Sequence, residues 1–190
     1  MAGKQAKTLS DNQIRSLLIY AKHTRYPKRN TVAVLLSVKA GLRAGEIAKL
    51  TWEMVIDPQG RIADAISLQD SIAKKGSGRT IPIHKDLAKA LRMLSIQGAV
   101  GPIIRSERNQ AMTPLSVVCW FAKAYRELGL EGCSSHSGRR TFITRAARSV
   151  HKVGGSLRDV QMLAGHRSIQ VTQRYIEGDT DAQRKLVSLI

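Results

Sequence analysis

The chain has 190 residues, with 31 Lys and Arg against 14 Asp and Glu, so its formal net charge at pH 7 is +17. This length predicts one compact domain with a sizeable core, and a hydrophobic content of 43% is ordinary for a globular protein. A basic surface of this strength suits a polyanion, chiefly nucleic acid, but a ribosomal-type protein or a membrane-surface binder would carry a similar charge.

The sequence argues against secreted, metal-binding and membrane-spanning classes. Cys119 and Cys133 are too few for a disulfide framework and lack the spacing of metal ligands. Residues 1–8 contain no apolar signal core, and the apolar run at 31–38 is far too short to span a bilayer. We therefore expect a cytoplasmic protein with no metal, no cofactor and no membrane association.

The chain begins with two predicted helices. Ser10 and Gln13 have the spacing of a capping box and precede an apolar stripe, which predicts a helix to about Lys22. Residues 22–30 form a basic, proline-containing stretch that we interpret as a loop, either in contact with phosphates or simply a solvated connection. Residues 31–40 are mostly apolar and predict a buried helix that ends before Gly41.

Arg43 follows at the start of the next predicted helix, which continues through Glu46. A guanidinium beside a helix N-terminus is unfavourable unless an anion lies in front of both, because the helix end carries a partial positive charge. Arg43 is therefore a candidate phosphate ligand, although this feature alone favours an ordinary surface arginine. We interpret Glu46 as a carboxylate that is structural or orients an arginine, not as a catalytic one.

Short β-prone runs follow at residues 54–56, 62–68 and 80–83, separated by turn signals at 57–60 and 75–78. They predict a small three-stranded antiparallel sheet at the edge of a helical body. The glycine-rich second turn lacks the order of residues found in a nucleotide-binding P-loop and lies between strands, so a P-loop is excluded.

The second half of the chain is predicted to be helical. Residues 85–94 form an amphipathic helix, and Thr113 with Pro114 caps and opens another to about Gly129. A helix that begins at His136 would place His136 and Arg139 one turn apart on the same face. A further helix over 156–163 closes at Gly165, and Ser168 caps the helix that carries Tyr175. The predicted fold class is α+β and mainly helical.

The ordered set of these residues resembles the tyrosine recombinase (phage integrase) family. It comprises His136-x-x-Arg139, Gly165-His166 and Tyr175, nine positions after His166. Upstream, G-L-R-A-G-E-I around Arg43 is similar to the first catalytic block of the family. The stretch A-K-K-G-S-G-R-T-I-P-I is similar to the hairpin that carries the catalytic lysine of the family. Lys74, eight residues before Pro82, occupies the matching place, and Lys75 is the alternative.

The resemblance implies the role of each residue. Tyr175 would be the nucleophile and Arg43, Arg139 and His166 would bind the non-bridging phosphate oxygens, while His136 would transfer a proton at the nucleophile and Lys74 would protonate the leaving 5′ oxygen. The product would be a 3′-phosphotyrosyl DNA intermediate, with no ATP or metal required. We predict further DNA contacts from neighbouring cations: Lys75, Arg79, Arg140, Arg167 and Arg174.

The resemblance also implies a domain plan and partners. Residues 1–9 would be a flexible basic N-terminus, 10–178 the catalytic domain and 179–190 a tail exchanged between protomers. The partner would be double-stranded DNA, bound by a homotetramer on two duplexes in the nucleoid, with a monomer as the alternative without DNA. The chain has no room for the usual N-terminal DNA-clamping domain, so it is either a short recombinase or a fragment. Two other functions stay open: a non-catalytic DNA-binding regulator with the same fold, and a type IB topoisomerase-like relaxing enzyme.

Overall fold

The computed structural model of the protein describes residues 5–72, 76–95, 100–175 and 187–188. The chain divides into two compact units, Met1–Phe142 and Ile143–Ile190. The mainly helical architecture with a small antiparallel sheet, predicted from the sequence, is confirmed. Within the described ranges, no helix is long and apolar enough to cross a membrane. The division into a catalytic domain at 10–178 and flanking segments stays a prediction.

The first unit is a helical body. It contains α1 (Asp11–Lys22), α2 (Pro27–Lys39), α3 (Ala44–Lys49), α4 (Lys85–Leu94), α5 (Pro114–Glu127) and the first half of α6 (Ser137–Ser149). Helix α2 packs against α1 and α4, and α3 packs against α5. The apolar residues that recur at helical spacing form the core, and the largest fully buried helical side chains are Leu17, Leu36, Ile47, Leu87, Leu91, Phe121 and Tyr125.

The predicted helix starts agree with the structure, with one correction. Ser10 and Gln13 form the capping box of α1, and the Thr113 side chain caps α5. Helix α2 begins at Pro27 and not near residue 31, so half of the predicted basic loop is helical. Proline suits the first helical turn because the N–H that it lacks would have no helical partner there. The guanidinium of Arg29 lies over the ring of Tyr26, and this cation–π contact holds the start of the helix.

The sheet has two strands among the described residues, so the prediction of three strands is wrong. Strand β1 (Ala65–Leu68) pairs antiparallel with β2 (Arg79–Pro82), and Ile66 lies opposite Ile81. The remaining run, residues 54–56, instead overlaps a 3₁₀ turn at Trp52–Met54 and forms a single bridge from Ile56 to Ile62. Residues 52–54 are held by the loop at 101–103, because the Trp52 N–H donates to the Gly101 carbonyl, and this contact prevents an extended strand.

The second unit consists of the end of α6, a 3₁₀ turn at Val150–Val153, α7 (Leu157–Ala164) and α8 (Ile169–Gln173). Ser156 and Asp159 cap α7 reciprocally, Gly165 ends it in the left-handed conformation, and Ser168 caps α8 by accepting the Gln170 N–H. These boundaries agree with the predicted ones within about two residues, the usual uncertainty of a helix end. The proposed exchange of the tail at 179–190 lies outside the described residues, apart from positions 187 and 188.

Candidate active site

Arg43 is the residue that immediately precedes α3, as the sequence predicted. Its backbone N–H donates to Oε2 of Glu46 over 2.9 Å, and its Nη1 donates to Oε1 of Glu46 over 2.7 Å. Glu46 therefore satisfies a free backbone N–H at the helix start and also fixes the direction of the Arg43 side chain. The Arg43 side chain is 22% exposed, whereas Glu46 is 2% exposed.

Glu46 has a second arginine partner, Arg79, at the start of β2. The Arg79 Nη1 lies 3.1 Å from Oε1 and its Nη2 lies 3.1 Å from Oε2, which is the bidentate geometry that arginine and carboxylate groups favour. Burial alone would raise the pKa of Glu46, but the hydrogen bonds and charge of Arg79, followed by those of Arg43, lower the pKa below its ordinary value. Glu46 is thus an anion shared by two guanidiniums. The sequence predicts a DNA contact for Arg79. In the structure the Arg79 side chain is 5% exposed and pairs with the buried carboxylate of Glu46.

A cavity of about 310 Å³ lies beside Arg43. It is large enough for a phosphate group and some water, and two cationic side chains, Arg43 and Lys49, lie in its wall. The other lining residues are Gly45, Glu46, Ser71, Ile72 and Pro114. Arg43 therefore borders open space on one side and its carboxylate partner on the other.

Arg139 lies on the first turn of α6 and connects this helix to the segment that leads to Arg43. Its Nη1 donates to the backbone carbonyl of Gly41 over 2.6 Å, and the residue is 4% exposed. Because Gly41 precedes Arg43 by two residues, the bond ties the two predicted phosphate ligands to the same short stretch of chain. The first unit thus brings together the backbone supports of both arginines.

Two glycines allow this close approach. A side chain at Gly41 would place its Cβ 2.4 Å from Cδ1 of Phe142, and Gly41 also has a φ of +64°. A Cβ at Gly138 would lie 2.1 Å from Oγ of Ser37 on α2. The first two turns of α6 therefore lie against the end of α2 at distances that only glycine permits. This contact sets the position of Arg139.

His136 is exposed and lies immediately before α6, one residue before the helix begins. Its N–H donates to Oγ of Ser134 over 3.3 Å, and its carbonyl accepts the Arg140 N–H. Arg140, a predicted DNA contact, is half-buried, and its Nη1 donates to Oε1 of Gln5. His136 and Arg139 are one helical turn apart, as predicted.

The second unit brings His166 and Tyr175 together. Their rings stack at a centroid distance of 5.6 Å and an angle of 22°. His166 follows the left-handed Gly165, and its N–H donates to the Gln161 carbonyl while its own carbonyl accepts the Gln161 side-chain amide. Its Nδ1 lies 2.9 Å from Oγ1 of the fully buried Thr172, and this contact fixes the orientation of the ring.

The remaining predicted site residues fall into two groups. Lys74 and its alternative Lys75 lie outside the described residues, so their catalytic and DNA-binding assignments stay predictions. Arg167 and Arg174 are exposed in the second unit, beside the histidine and the tyrosine respectively. Among the described residues no group of three or more His, Cys, Asp or Glu side chains could hold a metal ion.

The sequence interpretation missed two supporting contacts, Thr172 with His166 and Arg79 with Glu46. Neither has a local signal, because Arg79 is 33 positions from Glu46 and a threonine inside a short helix is common. The one hint was the interpretation of Glu46 as a carboxylate that is structural or orients an arginine, and it named no particular arginine.

Comparison with known proteins gives recombinases in each case. "Tyrosine recombinase XerA" of Thermococcus kodakarensis is 27% identical over 186 residues, covering 94% of this chain and 61% of that protein. "Tyrosine recombinase XerC" of Brucella suis is 28% identical over 159 residues, covering 80% of this chain and 47% of that protein. The chain therefore spans about half to three fifths of the length of these relatives.

Solved structures show the same fold. The Tn1549 transposon integrase in complex with a circular intermediate DNA superposes with a TM-score of 0.74 at 18% identity, over 100% of this chain and 67% of that one. The crystal structure of XerA recombinase gives a TM-score of 0.71 at 22% identity, over 100% of this chain and 65% of that one.

The sequence model of the phage integrase family matches residues 7–181, a range that includes every catalytic position predicted above. The match covers most of the sequence, and the chain belongs to the phage integrase family.

Proposed function

We propose that this chain is the catalytic part of a site-specific DNA recombinase that cleaves and rejoins strands through a 3′-phosphotyrosyl intermediate. The observation that carries the proposal is the bond from Arg139 to the carbonyl of Gly41, two residues before Arg43. It ties two guanidiniums to one turn of chain beside a cavity, and two arginines can bind the non-bridging oxygens of one phosphate with paired hydrogen bonds. A ribosomal or membrane-binding protein has no need for this arrangement.

The proposed nucleophile is Tyr175. A phenol is mostly protonated near neutral pH and is then a weak nucleophile, so the reaction needs nearby positive charge and a proton acceptor. The Oη of Tyr175 would attack phosphorus and form a phosphotyrosyl bond, while the bond from phosphorus to the 5′ oxygen breaks. The phenol proton would leave towards His136, and Lys74 would supply a proton to the 5′ oxygen. His166 would donate from its ring to the phosphoryl oxygens.

Rejoining would be the same reaction in reverse. A 5′ hydroxyl from a partner duplex attacks the phosphotyrosyl bond, the phenol leaves, and the energy of the original phosphodiester is conserved. The chemistry proposed for the chain's own residues is therefore positioning, charge stabilisation and proton transfer.

The proposed partner is double-stranded DNA, bound by four copies of the chain on two duplexes. The net charge of +17 supports a polyanionic partner. Among the relatives of known structure, the Tn1549 integrase was solved in complex with circular intermediate DNA, and a lambda integrase dimer was solved bound to a core site. Native mass spectrometry of the protein with and without a cleavable duplex would establish the number of copies.

The experiment that tests the function uses genomic DNA of the source organism, nicked and sheared into short duplexes. A nick lets the fragment next to the cut diffuse away, so a covalent complex accumulates. We expect protein to become attached to DNA 3′ ends at one or a few sequences, which sequencing of the trapped strands identifies. The Tyr175→Phe variant should bind the same fragments and trap none.

The outcomes separate the three functions considered from the sequence. Binding without any covalent product would favour a regulator. Trapping at many unrelated sequences, together with relaxation of supercoiled plasmid, would favour a topoisomerase-like enzyme. Trapping at a defined site, followed by exchange between two duplexes that carry the site, supports a recombinase.

A further inference from the structure

Arg79 is not one of the expected catalytic residues, and its side chain is 5% exposed. The residue opens β2, which is fixed on both sides. Its backbone pairs with Leu68 across the sheet, and the preceding Gly78 N–H donates to Oδ1 of Asp70 over 2.7 Å. A Cβ at Gly78 would lie 2.8 Å from the Leu68 carbonyl, so glycine permits the close strand approach there. The backbone position of Arg79, from which its side chain extends, is therefore fixed.

Glu46 is a buried carboxylate that needs a counter-charge. A buried anion with no cationic partner is strongly destabilising. If it had a single cationic partner, the two charges would neutralise each other. If Arg43 were that single partner, its positive charge would be neutralised by Glu46. A neutralised arginine is a poor ligand for phosphate, because the interaction depends on the charge as well as on the N–H groups.

The observed geometry assigns the main contact to the other arginine. Arg79 uses two nitrogens and both carboxylate oxygens, each at 3.1 Å, whereas the guanidinium of Arg43 uses Nη1 at 2.7 Å to Oε1. Two guanidiniums and one carboxylate leave one positive charge on the cluster. Of the two arginines bound to Glu46, Arg43 lines the cavity and Arg79 is buried.

We propose that Arg79 is a positioning residue for DNA cleavage: it neutralises Glu46, so that Arg43 is oriented by this carboxylate but keeps its charge for the scissile phosphate. The inference rests on the proposed function and assigns Arg79 a role other than the DNA contact predicted from the sequence. Arg79 acts through Glu46 and Arg43 and does not touch DNA.

The test compares Arg79→Met, Glu46→Gln and the double variant Glu46→Gln/Arg79→Met in single-turnover cleavage of the trapped site. Arg79→Met should slow cleavage on the order of 100-fold, comparable to removal of one phosphoryl-stabilising donor. The double variant should recover part of this loss, because a neutral amide no longer competes for Arg43. Arg61→Met, which breaks an exposed ion pair with Asp57, is the matched control and should cleave like the parent chain.

Cleavage by Arg79→Met at the parent rate, or a double variant that is no faster than Arg79→Met, would overturn the proposal. If Arg79→Met does not fold, as judged by its thermal unfolding, Arg79→Lys decides. A lysine supplies the charge without the paired N–H groups, so its cleavage rate should fall by less than about tenfold. A loss as large as that of Arg43→Lys would mean that Arg79 contacts the phosphate itself.

The salt dependence of DNA affinity shows whether Arg79 contacts a phosphate directly. In the Tyr175→Phe background, which removes the proposed nucleophile, Arg79→Met should leave the slope of log affinity against log salt unchanged. A phosphate contact by Arg79 would reduce that slope by about one. A reduced slope would restore the contact predicted from the sequence and overturn the positioning role.

A third measurement separates this inference from the proposed function. If the parent chain forms no phosphotyrosyl product, the proposed function fails. Titration with inorganic phosphate still tests the arrangement of Arg43, Glu46 and Arg79. The Nε–H signal of Arg43, assigned by its loss in Arg43→Lys, should shift with phosphate in the parent chain. The shift should be absent in Arg79→Met and return in the double variant. An equal shift in all three would overturn the inference.

Discussion

The guanidinium of Arg139 donates a hydrogen bond from Nη1 to the backbone carbonyl of Gly41 over 2.6 Å, although the two residues are 98 positions apart. The contact requires α6 to lie close to the turn that precedes Arg43. It depends on the missing side chain of Gly41, since the ring of Phe142 occupies the place of a Cβ. The positions of two proposed phosphate ligands thus depend on the packing of one glycine turn.

Gly41→Ala should destabilise the protein more than Gly129→Ala. Both glycines have a φ of +64°, a conformation that costs an alanine about 1 kcal/mol or more, but a Cβ at Gly129 meets nothing within 4 Å. The collision with Phe142 should add roughly 1–3 kcal/mol at Gly41. Urea unfolding of the two variants measures the difference in the free energy of unfolding. Equal losses would mean that Phe142 moves aside freely and that the turn is not tightly packed.

Arg139→Lys should lower single-turnover cleavage by about 10²–10³-fold while DNA affinity changes little. One ammonium cannot both hold the Gly41 carbonyl and offer a paired hydrogen bond to phosphate, whereas a guanidinium has five N–H groups. Cleavage of a nicked duplex in excess enzyme gives the rate, and Arg126→Lys, at an exposed position on α5, is the control. A variant that cleaves normally would remove Arg139 from the proposed phosphate site.

Thr172→Val should slow cleavage without loss of DNA binding. Valine has the shape of threonine but cannot hydrogen-bond Nδ1 of His166, so the ring would no longer be fixed in one orientation and one tautomer. We expect a loss of about tenfold, part of the roughly 10²–10⁴-fold that a positioned proton-transferring group contributes. Thr172→Ser keeps the hydroxyl and should retain most of the rate. Equal rates for the serine and valine variants would show that the hydroxyl has no role.

His84 should make the stability of the first unit depend on pH. Its neutral Nδ1 accepts the Asp86 N–H and caps α4. Burial, followed by the charge of Lys39, lowers the pKa of His84, while Asp86 opposes this shift. Because the folded pKa lies below the unfolded one, the folded chain binds fewer protons, so this contribution is present at neutral pH and is lost as the pH falls through the folded pKa.

The His84→Asn variant isolates that contribution, since asparagine caps a helix and does not titrate. Urea unfolding of parent and variant should show the stability of the parent falling relative to the variant below about pH 6.5. The total change should be about 1 kcal/mol, the usual value of an N-cap. A constant difference from pH 8 to pH 5 would contradict the proposed cap.

Helix starts could be predicted from the sequence where a cap is encoded locally. Ser10 with Gln13, and Thr113 with Pro114, are short-range signals, and both lie where α1 and α5 begin. The prediction of a strand at residues 54–56 was wrong. These residues have β-prone side chains, but their neighbours are held by a loop about 50 positions away. Gly101 accepts the N–H of Trp52 and donates its own N–H to Glu53, and this long-range contact overrides the local preference.

The same distinction applies to the candidate site. The positions of Arg43 before α3 and of His166 after Gly165 follow from local helix ends, so both were predictable. The second partner of Glu46 and the hydroxyl on His166 were not, because each depends on which side chains the fold brings together. The hydrogen bond from Arg139 to Gly41 likewise could not be predicted, because the two residues are 98 positions apart.

Above all, we expect Tyr175 to become joined to DNA through a 3′ phosphate. Trapped covalent complex can be digested with nuclease and trypsin, which cuts after Arg174 and Arg184 and releases a peptide that begins at Tyr175. Mass spectrometry should find a nucleotide phosphate on the tyrosine of this peptide, and should find none in Tyr175→Phe. A phosphate linkage on another residue, or no covalent complex with any nicked genomic fragment, would contradict the account.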